Sequence, residues 1–151
     1  MEPRQIGFSY STHQDNMERE MLKVYDYHTG DRYLEIILDI VEQSVNLKTL
    51  CFHGVHFKKE SWMKIFDAVE QNVYIINLNF ENCSGEHVIC HIINMVKNNK
   101  TVKLFYMRGD DFSIAQCYLL ANLVEHNTSL KALDLYIFPK EFPTSVFFQG
   151  A

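Results

Sequence analysis

Long apolar runs and glycine-rich loops are missing from this sequence, and each absence excludes a class of function. No apolar run approaches the roughly 18 residues that a membrane-spanning helix needs, and the polar first five residues do not form a secretory signal. Only 6 glycines are present, and no phosphate-binding loop, GxSxG or HExxH motif occurs. The sequence therefore predicts a protein that is not an enzyme and has no membrane partner.

Basic charge is scarce as well. The chain has 14 Lys and Arg residues against 19 Asp and Glu residues, which gives a formal net charge of −5. Binding to duplex nucleic acid requires a concentrated basic surface that displaces counterions, so we expect no nucleic-acid partner. The four cysteines, Cys51, Cys83, Cys90 and Cys117, are widely spaced and form no CxxC pair. They are typical of the reduced thiols of a cytoplasmic or nuclear protein.

What the sequence does contain is an internal repeat. An apolar residue is followed by further apolar residues at +3 and +5 in four segments, which start 26, 29 and 28 residues apart. The segments are Leu47-Leu50-Phe52, Val73-Ile76-Leu78, Val102-Phe105-Met107 and Leu130-Leu133-Leu135, and a weaker copy is Leu22-Tyr25-Tyr27. The last two apolar residues of each copy alternate with other types. This alternation predicts a short strand with one buried face in each copy.

Helices with the same period are predicted between the strands. The valines Val41, Val69, Val96 and Val124 lie 28, 27 and 28 residues apart. The residues 1, 3, 4 and 7 positions before each valine are apolar and the residue 2 positions before it is polar, which is the pattern of an amphipathic helix. We expect helices at about 31–44, 59–71, 85–98 and 113–126, and strands near 49–53, 75–79, 104–108 and 132–136.

Polar residues mark the predicted helix ends. Asp31, Ser84 and Ser113 stand where N-caps are expected, and Ser113 with Gln116 matches a capping box. The helices are expected to end at asparagines, which tolerate the left-handed conformation better than most residues. These asparagines are Asn72, Asn99 and Asn127.

Together these elements predict an α/β fold, a leucine-rich-repeat solenoid of four to five repeats of 26–29 residues. Short parallel strands are expected on its concave side and helices on its convex side. We expect residues 1–20 to form a polar N-terminal arm or cap, residues 21–138 the repeat domain and residues 139–151 an apolar C-terminal cap or tail. A cap is favoured over insertion of the tail into a partner, because solenoids need covered ends.

Two repeat junctions carry a resemblance to known families. Residues 99–103 and 127–135 resemble the repeat junctions of tropomodulin-like domains. Strand–helix units of this length are also similar to those of the ribonuclease-inhibitor-like class of leucine-rich repeats. The resemblance covers residues 20–138 and implies a fold that serves recognition of other proteins. Residues 1–30 contain nothing like the actin-binding segments of tropomodulins, so the resemblance does not imply actin binding.

The binding surface is expected on the concave strand face, which the residues flanking each buried pair occupy. They include two tyrosines and an arginine, types that are common at binding hot spots. The predicted partner-binding residues are Cys51, His53, Ile75, Asn77, Asn79, Leu104, Tyr106, Arg108, Asp134 and Tyr136. This pattern favours a protein–protein interaction module, an adaptor or scaffold, that binds a protein or peptide and needs no cofactor. The alternative interpretation is a solvated sheet face without a partner.

Three other functions stay open at this point. The chain could be the substrate-recognition subunit of a ubiquitin-ligase-type complex, a frequent use of such repeats. It could self-associate through an uncapped end. Finally, Cys83, His87 and His91, with Cys90 nearby, carry the nitrogen and sulfur atoms that zinc binds, or a reactive thiol. The residue types at the positions of Cys90 and His91 differ freely between repeats. We therefore expect these two residues to lie on the outer surface of the helix and to bind no metal.

Overall fold

Strands and helices alternate along the chain. The computed structural model describes residues 20–25 and 31–139. The strands are β1 (Met21–Tyr25), β2 (Thr49–His53), β3 (Asn77–Glu81), β4 (Leu104–Phe112) and β5 (Ala132–Pro139). The α-helices are α1 (Leu34–Gln43), α2 (Lys59–Gln71), α3 (Val88–Asn98) and α4 (Ile114–His126), and a 3-10 turn (Asp31–Tyr33) precedes α1. Among these described residues, no helix is long and apolar enough to cross a membrane.

The five strands form one parallel sheet in the order β1-β2-β3-β4-β5. The register repeats at each step, so one row across the sheet consists of Leu22, Leu50, Leu78, Phe105 and Leu133. Consecutive helices pack against one another in the same order, which confirms an α/β arrangement of strand–helix units. The weak copy predicted to start at Leu22 is wrong in register, because Leu22 lies beside Leu50 and not beside Leu47.

Every second strand residue packs beneath the sheet against the helices. Phe52 and Phe80 occupy one such row, and their rings stack with 5.5 Å between centroids. Trp62 of α2 lies edge-on to Phe52 and to Phe57, at centroid distances of 5.4 and 4.7 Å. Its Nε1 donates a hydrogen bond to the carbonyl oxygen of Ser84 at 3.0 Å. Burial of these large side chains supplies the main driving force for folding.

The asparagines that follow α2 and α4 join neighbouring units. Asn72, directly after α2, donates from Nδ2 to the carbonyl oxygen of Val41 at 2.8 Å. Its Oδ1 accepts from the amides of Tyr74 and Ile75 at 2.7 and 3.1 Å. Asn127 bonds to the unit before it in the same way. Both residues have extended backbones, with φ of −83° and −80°, so the predicted left-handed conformation is wrong. Asparagine suits these positions because its amide both donates and accepts.

The third strand lies two residues later than predicted. β3 occupies Asn77–Glu81 and not 75–79. Val73 and Ile76, which the predicted copy places in the core, are 61% and 39% exposed in the turn before the strand. Ile75, by contrast, is fully buried. The copy Val73-Ile76-Leu78 is therefore in the wrong register.

Of the three predicted N-caps, the one at Ser113 is confirmed. Ser113 Oγ accepts from the amide of Gln116, and the Gln116 side chain accepts in turn from the Ser113 amide, which completes the capping box. Ser84 is not a cap, because α3 begins at Val88 after His87. Asp31 lies in the 3-10 turn that precedes α1. Helices α1 and α3 thus begin later than predicted from their polar residues, whereas α2 begins at Lys59 as predicted.

Two predicted segments fall outside the described residues. The N-terminal arm or cap, residues 1–20, is described only at Glu20. The C-terminal cap or tail is described only up to Pro139. Both assignments stay predictions.

Candidate protein-binding face

The side of the sheet opposite the helices carries the other half of the strand residues. Because strand side chains alternate, the neighbours of each core residue lie on this side, which we call the open face. Its residues are Met21, Lys23, Tyr25, Thr49, Cys51, His53, Asn77, Asn79, Glu81, Leu104, Tyr106, Arg108, Ala132, Asp134 and Tyr136. All of them are exposed or half-buried, so no described element covers this surface.

Ionisable side chains form a row across β2, β3 and β4 on the open face. Glu81 Oε1 accepts a hydrogen bond from Arg108 Nη1 at 3.3 Å, and Glu81 Oε2 lies 3.3 Å from His53 Nδ1. The Glu81 side chain is 24% exposed, against 46% for His53 and 50% for Arg108. The exposed Glu81–Arg108 ion pair contributes only about 0–1 kcal/mol to stability. It also restricts the orientation of the Arg108 guanidinium.

An aromatic and apolar cluster adjoins this row on β4 and β5. The rings of Tyr106 and Tyr136 lie 5.7 Å apart between centroids. Leu104, two residues before Tyr106 on β4, is 41% exposed, and Tyr136 is 53% exposed. Grouped apolar and aromatic side chains on a surface are typical of interaction sites, whereas scattered ones are not. We call Leu104, Tyr106 and Tyr136 the β4–β5 cluster.

A shallow depression of about 300 Å³ lies at the β1–β3 side of the open face. Its lining includes Lys23, Cys51, His53, Asn79 and Glu81. Burial raises the pKa of the Cys51 thiol, although the Lys23 ammonium and a hydrogen bond with Asn79 act in the opposite direction. The thiol is therefore protonated at neutral pH and is a weak nucleophile. The depression offers polar contacts and not a reactive centre.

Cys83, His87 and His91 do not form a ligand set. The Cys83 sulfur contacts the carbonyl oxygens of Phe52 at 3.5 Å and of Glu81 at 3.7 Å. The residue is half-buried as a whole, but burial of the sulfur raises the pKa of the thiol to about 12. His87 is exposed and left-handed, with φ of 53°, and His91 Nε2 is buried without a hydrogen-bond partner in the described part of the chain. Within residues 20–25 and 31–139, no three His, Cys, Asp or Glu side chains are placed to hold a metal ion.

The structure places nine of the ten predicted binding residues on the open face. Ile75 is the exception: it is fully buried, because β3 begins two residues later than predicted, and its assignment to this face is wrong. Glu81 lies on the face and is absent from the predicted set for the same reason. The residues of β1 are absent from it because the copy at Leu22 is in the wrong register. The spacing of the helix valines would have placed these residues correctly. The 28-, 27- and 28-residue spacing of these valines equals the spacing of paired residues from β2 to β5.

Solved structures share this arrangement, among them the following two. One is the actin-binding site 2 of leiomodin-1, with a TM-score of 0.66 and 16% identity over 82% of this chain and 75% of that chain. The other is the C-terminal domain of a Caenorhabditis elegans tropomodulin, with a TM-score of 0.60 and 11% identity over 83% of each chain. No protein-family model and no curated protein matches the sequence. The chain therefore shares the α/β fold of tropomodulin C-terminal domains, and at these identities the likeness shows the fold alone.

Proposed function

We propose that this chain is a protein-binding module that holds a protein or peptide on its open face. Its strand–helix units are those of a leucine-rich-repeat solenoid, in which the open face lines the concave side. The observation that carries the proposal is the β4–β5 cluster. Leu104 and Tyr136 are large side chains that stay exposed on a regular sheet, although their burial against a partner would be favourable.

The β4–β5 cluster and Arg108 supply complementary contacts. Tyrosine offers a large contact area with few rotatable bonds, so little conformational entropy is lost when a partner packs on Tyr106 and Tyr136. Complete burial of the exposed part of Leu104 adds about 1 kcal/mol. Arg108, held by Glu81 at 3.3 Å, presents further N–H donors beside this apolar surface. A partner with an apolar anchor next to a carboxylate or carbonyl oxygen fits this arrangement.

Actin is the first partner to examine, because one structural neighbour is an actin-binding site of leiomodin-1. That likeness supports the fold, and actin binding by this chain rests on the experiment below. Substrate recognition within a ubiquitin-ligase-type complex is the second possibility. Both use the same protein-binding face and differ only in the partner.

Matched variants test the proposal. Tyr106→Ala/Arg108→Glu removes a ring and reverses a charge on the open face. Tyr74→Ala/Lys64→Glu makes the same chemical changes at exposed positions away from it. Both variants, after circular dichroism shows an unchanged spectrum, serve as baits in affinity purification from the native cell extract and in co-sedimentation with filamentous actin. We expect the open-face variant to lose affinity about thirtyfold or more, the effect of removing a hot-spot residue, and the control to bind like wild type.

The outcomes separate the possibilities. If both variants retain the partners of wild type, the open face is not the binding site. If filamentous actin sediments with wild type and control but not with the open-face variant, actin is the partner. If ligase subunits co-purify in that same pattern, the chain recognises substrates for a ubiquitin-ligase-type complex.

A further inference from the structure

Positive charge is concentrated in one part of the chain. Residues 87–109, which include α3 and the first part of β4, contain no aspartate or glutamate. They do contain four of the 14 basic residues, namely Lys97, Lys100, Lys103 and Arg108. All 19 acidic residues lie in the rest of the chain. A chain with a net charge of −5 thus has one strand–helix unit of the opposite sign.

Two lysines stand side by side where β4 and β5 begin. The Lys131 amide donates to the carbonyl oxygen of Lys103 at 2.7 Å, and the Lys103 amide donates to that of Ile76 at 2.8 Å. Lys48 belongs to the same row, and its Nζ forms an ion pair with Glu20 at 3.1 Å. Neither Lys103 nor Lys131 forms an ion pair with any residue in the described ranges. Like charges on adjacent strands repel each other, so an anion between these two lysines is favourable.

The nearby helix ends account for one lysine of this unit and not for the others. The last carbonyl groups of a helix carry a partial charge of about −0.5, which favours a cation in the last turn. Lys97 lies in the last turn of α3 and supplies that cation. Lys100, Lys103 and Lys131 lie beyond the helix ends, and the effect falls off within the last turn. We call these three residues the basic edge.

The basic edge is continuous with the β4–β5 cluster. Lys103 directly precedes Leu104 in the chain, and Tyr106 follows three residues after Lys103, which is about 10 Å along a strand. Lys100 and Lys131 are exposed and Lys103 is half-buried, so all three are accessible beside the cluster. An apolar surface with a cationic border at one end therefore extends along the start of β4 and β5.

The size and the surroundings of the basic edge decide which anion fits it. Neighbouring strands lie about 4.8 Å apart, so Lys103 and Lys131 together span a width of only a few carboxylates. Duplex nucleic acid carries one negative charge per about 1.7 Å of a long rod, and most of that rod would face the acidic remainder of the chain. A short run of glutamate or aspartate matches the width of the basic edge, and its neighbouring residues can contact the apolar surface.

We propose that the segment bound at the open face carries a short acidic stretch, which contacts the basic edge, beside an apolar anchor that packs on the β4–β5 cluster. This inference rests on the proposed function, because the anchor needs the cluster as its binding site. The basic edge borders the cluster at one end only. The order of acidic stretch and anchor in the partner therefore also determines the direction in which the bound segment runs.

Selection from a phage-displayed library of random dodecapeptides tests the proposal. The baits are the wild-type chain and Lys100→Glu/Lys131→Glu, which reverses two exposed charges of the basic edge. The matched control is Lys59→Glu/Lys64→Glu, which makes the same change of net charge at two exposed positions of α2. A further bait, Tyr106→Ala/Arg108→Glu, alters the open face itself. Each variant is used after circular dichroism shows an unchanged spectrum.

We expect wild type and the α2 control to enrich peptides with several carboxylates within about three residues of an aromatic or aliphatic anchor, the separation of Lys103 from Tyr106. The basic-edge variant should enrich the anchor without the acidic residues. It should bind a synthetic copy of a wild-type-selected peptide about tenfold more weakly at about 50 mM salt. The difference should shrink at about 500 mM salt, because salt screens exposed charges.

The other outcomes overturn the proposal in distinguishable ways. Enrichment by wild type of apolar anchors without acidic residues would overturn it and leave the proposed function intact. Retention of the acidic peptides by Tyr106→Ala/Arg108→Glu would show that the acidic stretch binds without the anchor. No enrichment by any bait would count against the proposed function as well. Tighter binding of single-stranded oligodeoxythymidine than of the selected peptides, lost in the basic-edge variant, would identify the edge as a nucleic-acid site.

Discussion

Replacing Asn72 by alanine is expected to lower the free energy of unfolding by about 3 kcal/mol. The side chain is almost fully buried, and it donates to the carbonyl oxygens of Val41 and Ser44. It also accepts from the amides of Tyr74 and Ile75. Water can replace the bond to the amide of the exposed Tyr74. The other three bonds are made in buried surroundings, where each lost bond costs about 1 kcal/mol.

Serine at the same position gives a graded comparison. Ser44 fills the equivalent place after α1, where its Oγ accepts from the amides of Asn46 and Leu47 at 3.3 and 3.2 Å. Asn72→Ser should keep the accepting half of the network and lose the two donated bonds, at a cost of about 2 kcal/mol. Asn98→Ala is the surface control, because Asn98 is exposed at the end of α3, and it should change stability by less than about 0.5 kcal/mol.

Urea unfolding measures all three variants. Trp62 is the only tryptophan and is fully buried, so its fluorescence reports core packing while circular dichroism reports the helices. Coincident transitions justify a two-state treatment. The expected order of destabilisation is Asn72→Ala, then Asn72→Ser, then Asn98→Ala. Equal losses for alanine and serine, or a loss below about 1 kcal/mol for alanine, would refute the reasoning that the amide joins neighbouring units.

Three single sites give further predictions. Gly85→Ala should cost at least about 2 kcal/mol in urea unfolding, because a Cβ there lies 2.6 Å from the Phe57 carbonyl oxygen at a φ of +150°; wild-type stability would contradict this close approach. Burial raises the pKa of Cys83 from its ordinary value of 9.0 to about 12, so the stability that the protonated thiol supplies is complete below pH 9.0 and is lost as the pH rises towards 12. Cys83→Ala should flatten this alkaline loss in unfolding curves, and parallel curves would argue against it. Glu81→Gln should change stability by less than about 1 kcal/mol yet weaken partner binding several-fold, because Arg108 loses its charged partner. Titration calorimetry with the purified partner checks this prediction. Unchanged affinity would show that Arg108 does not need Glu81 to orient it.

The period and the order of elements can be predicted from the sequence because each unit buries residues at equivalent positions. Val41, Val69 and Val96 are all fully buried, and their spacing equals that of the strands. The register of β3 is harder to read. Both Val73-Ile76-Leu78 and Ile75-Leu78-Phe80 satisfy the +3 and +5 apolar pattern. Hydrophobicity alone does not separate them, because apolar residues also occur in exposed turns.

The open face is predictable in outline and not in its contacts. Residue types alternate along each strand, so most of the face follows once the strands are placed. The contacts from His53 through Glu81 to Arg108 require three strands in register. An error of two residues in the predicted position of β3 leaves the Glu81 carboxylate outside the predicted strand. The asparagines show a different limit. Their position at helix ends is evident, but whether backbone conformation or side-chain bonding explains it depends on the neighbouring unit.

The constant register across the sheet also fixes the distances between the side chains of one row. Parallel strands lie about 4.8 Å apart, so the row from Tyr25 through His53, Glu81 and Arg108 to Tyr136 spans about 19 Å. A helix rises about 1.5 Å per residue, and about 13 residues cover that distance. One turn of such a helix, about 5.4 Å, is close to one strand spacing. A helical partner lying across the strands can thus set one side chain per turn against each successive strand, and its length is limited by the number of strands.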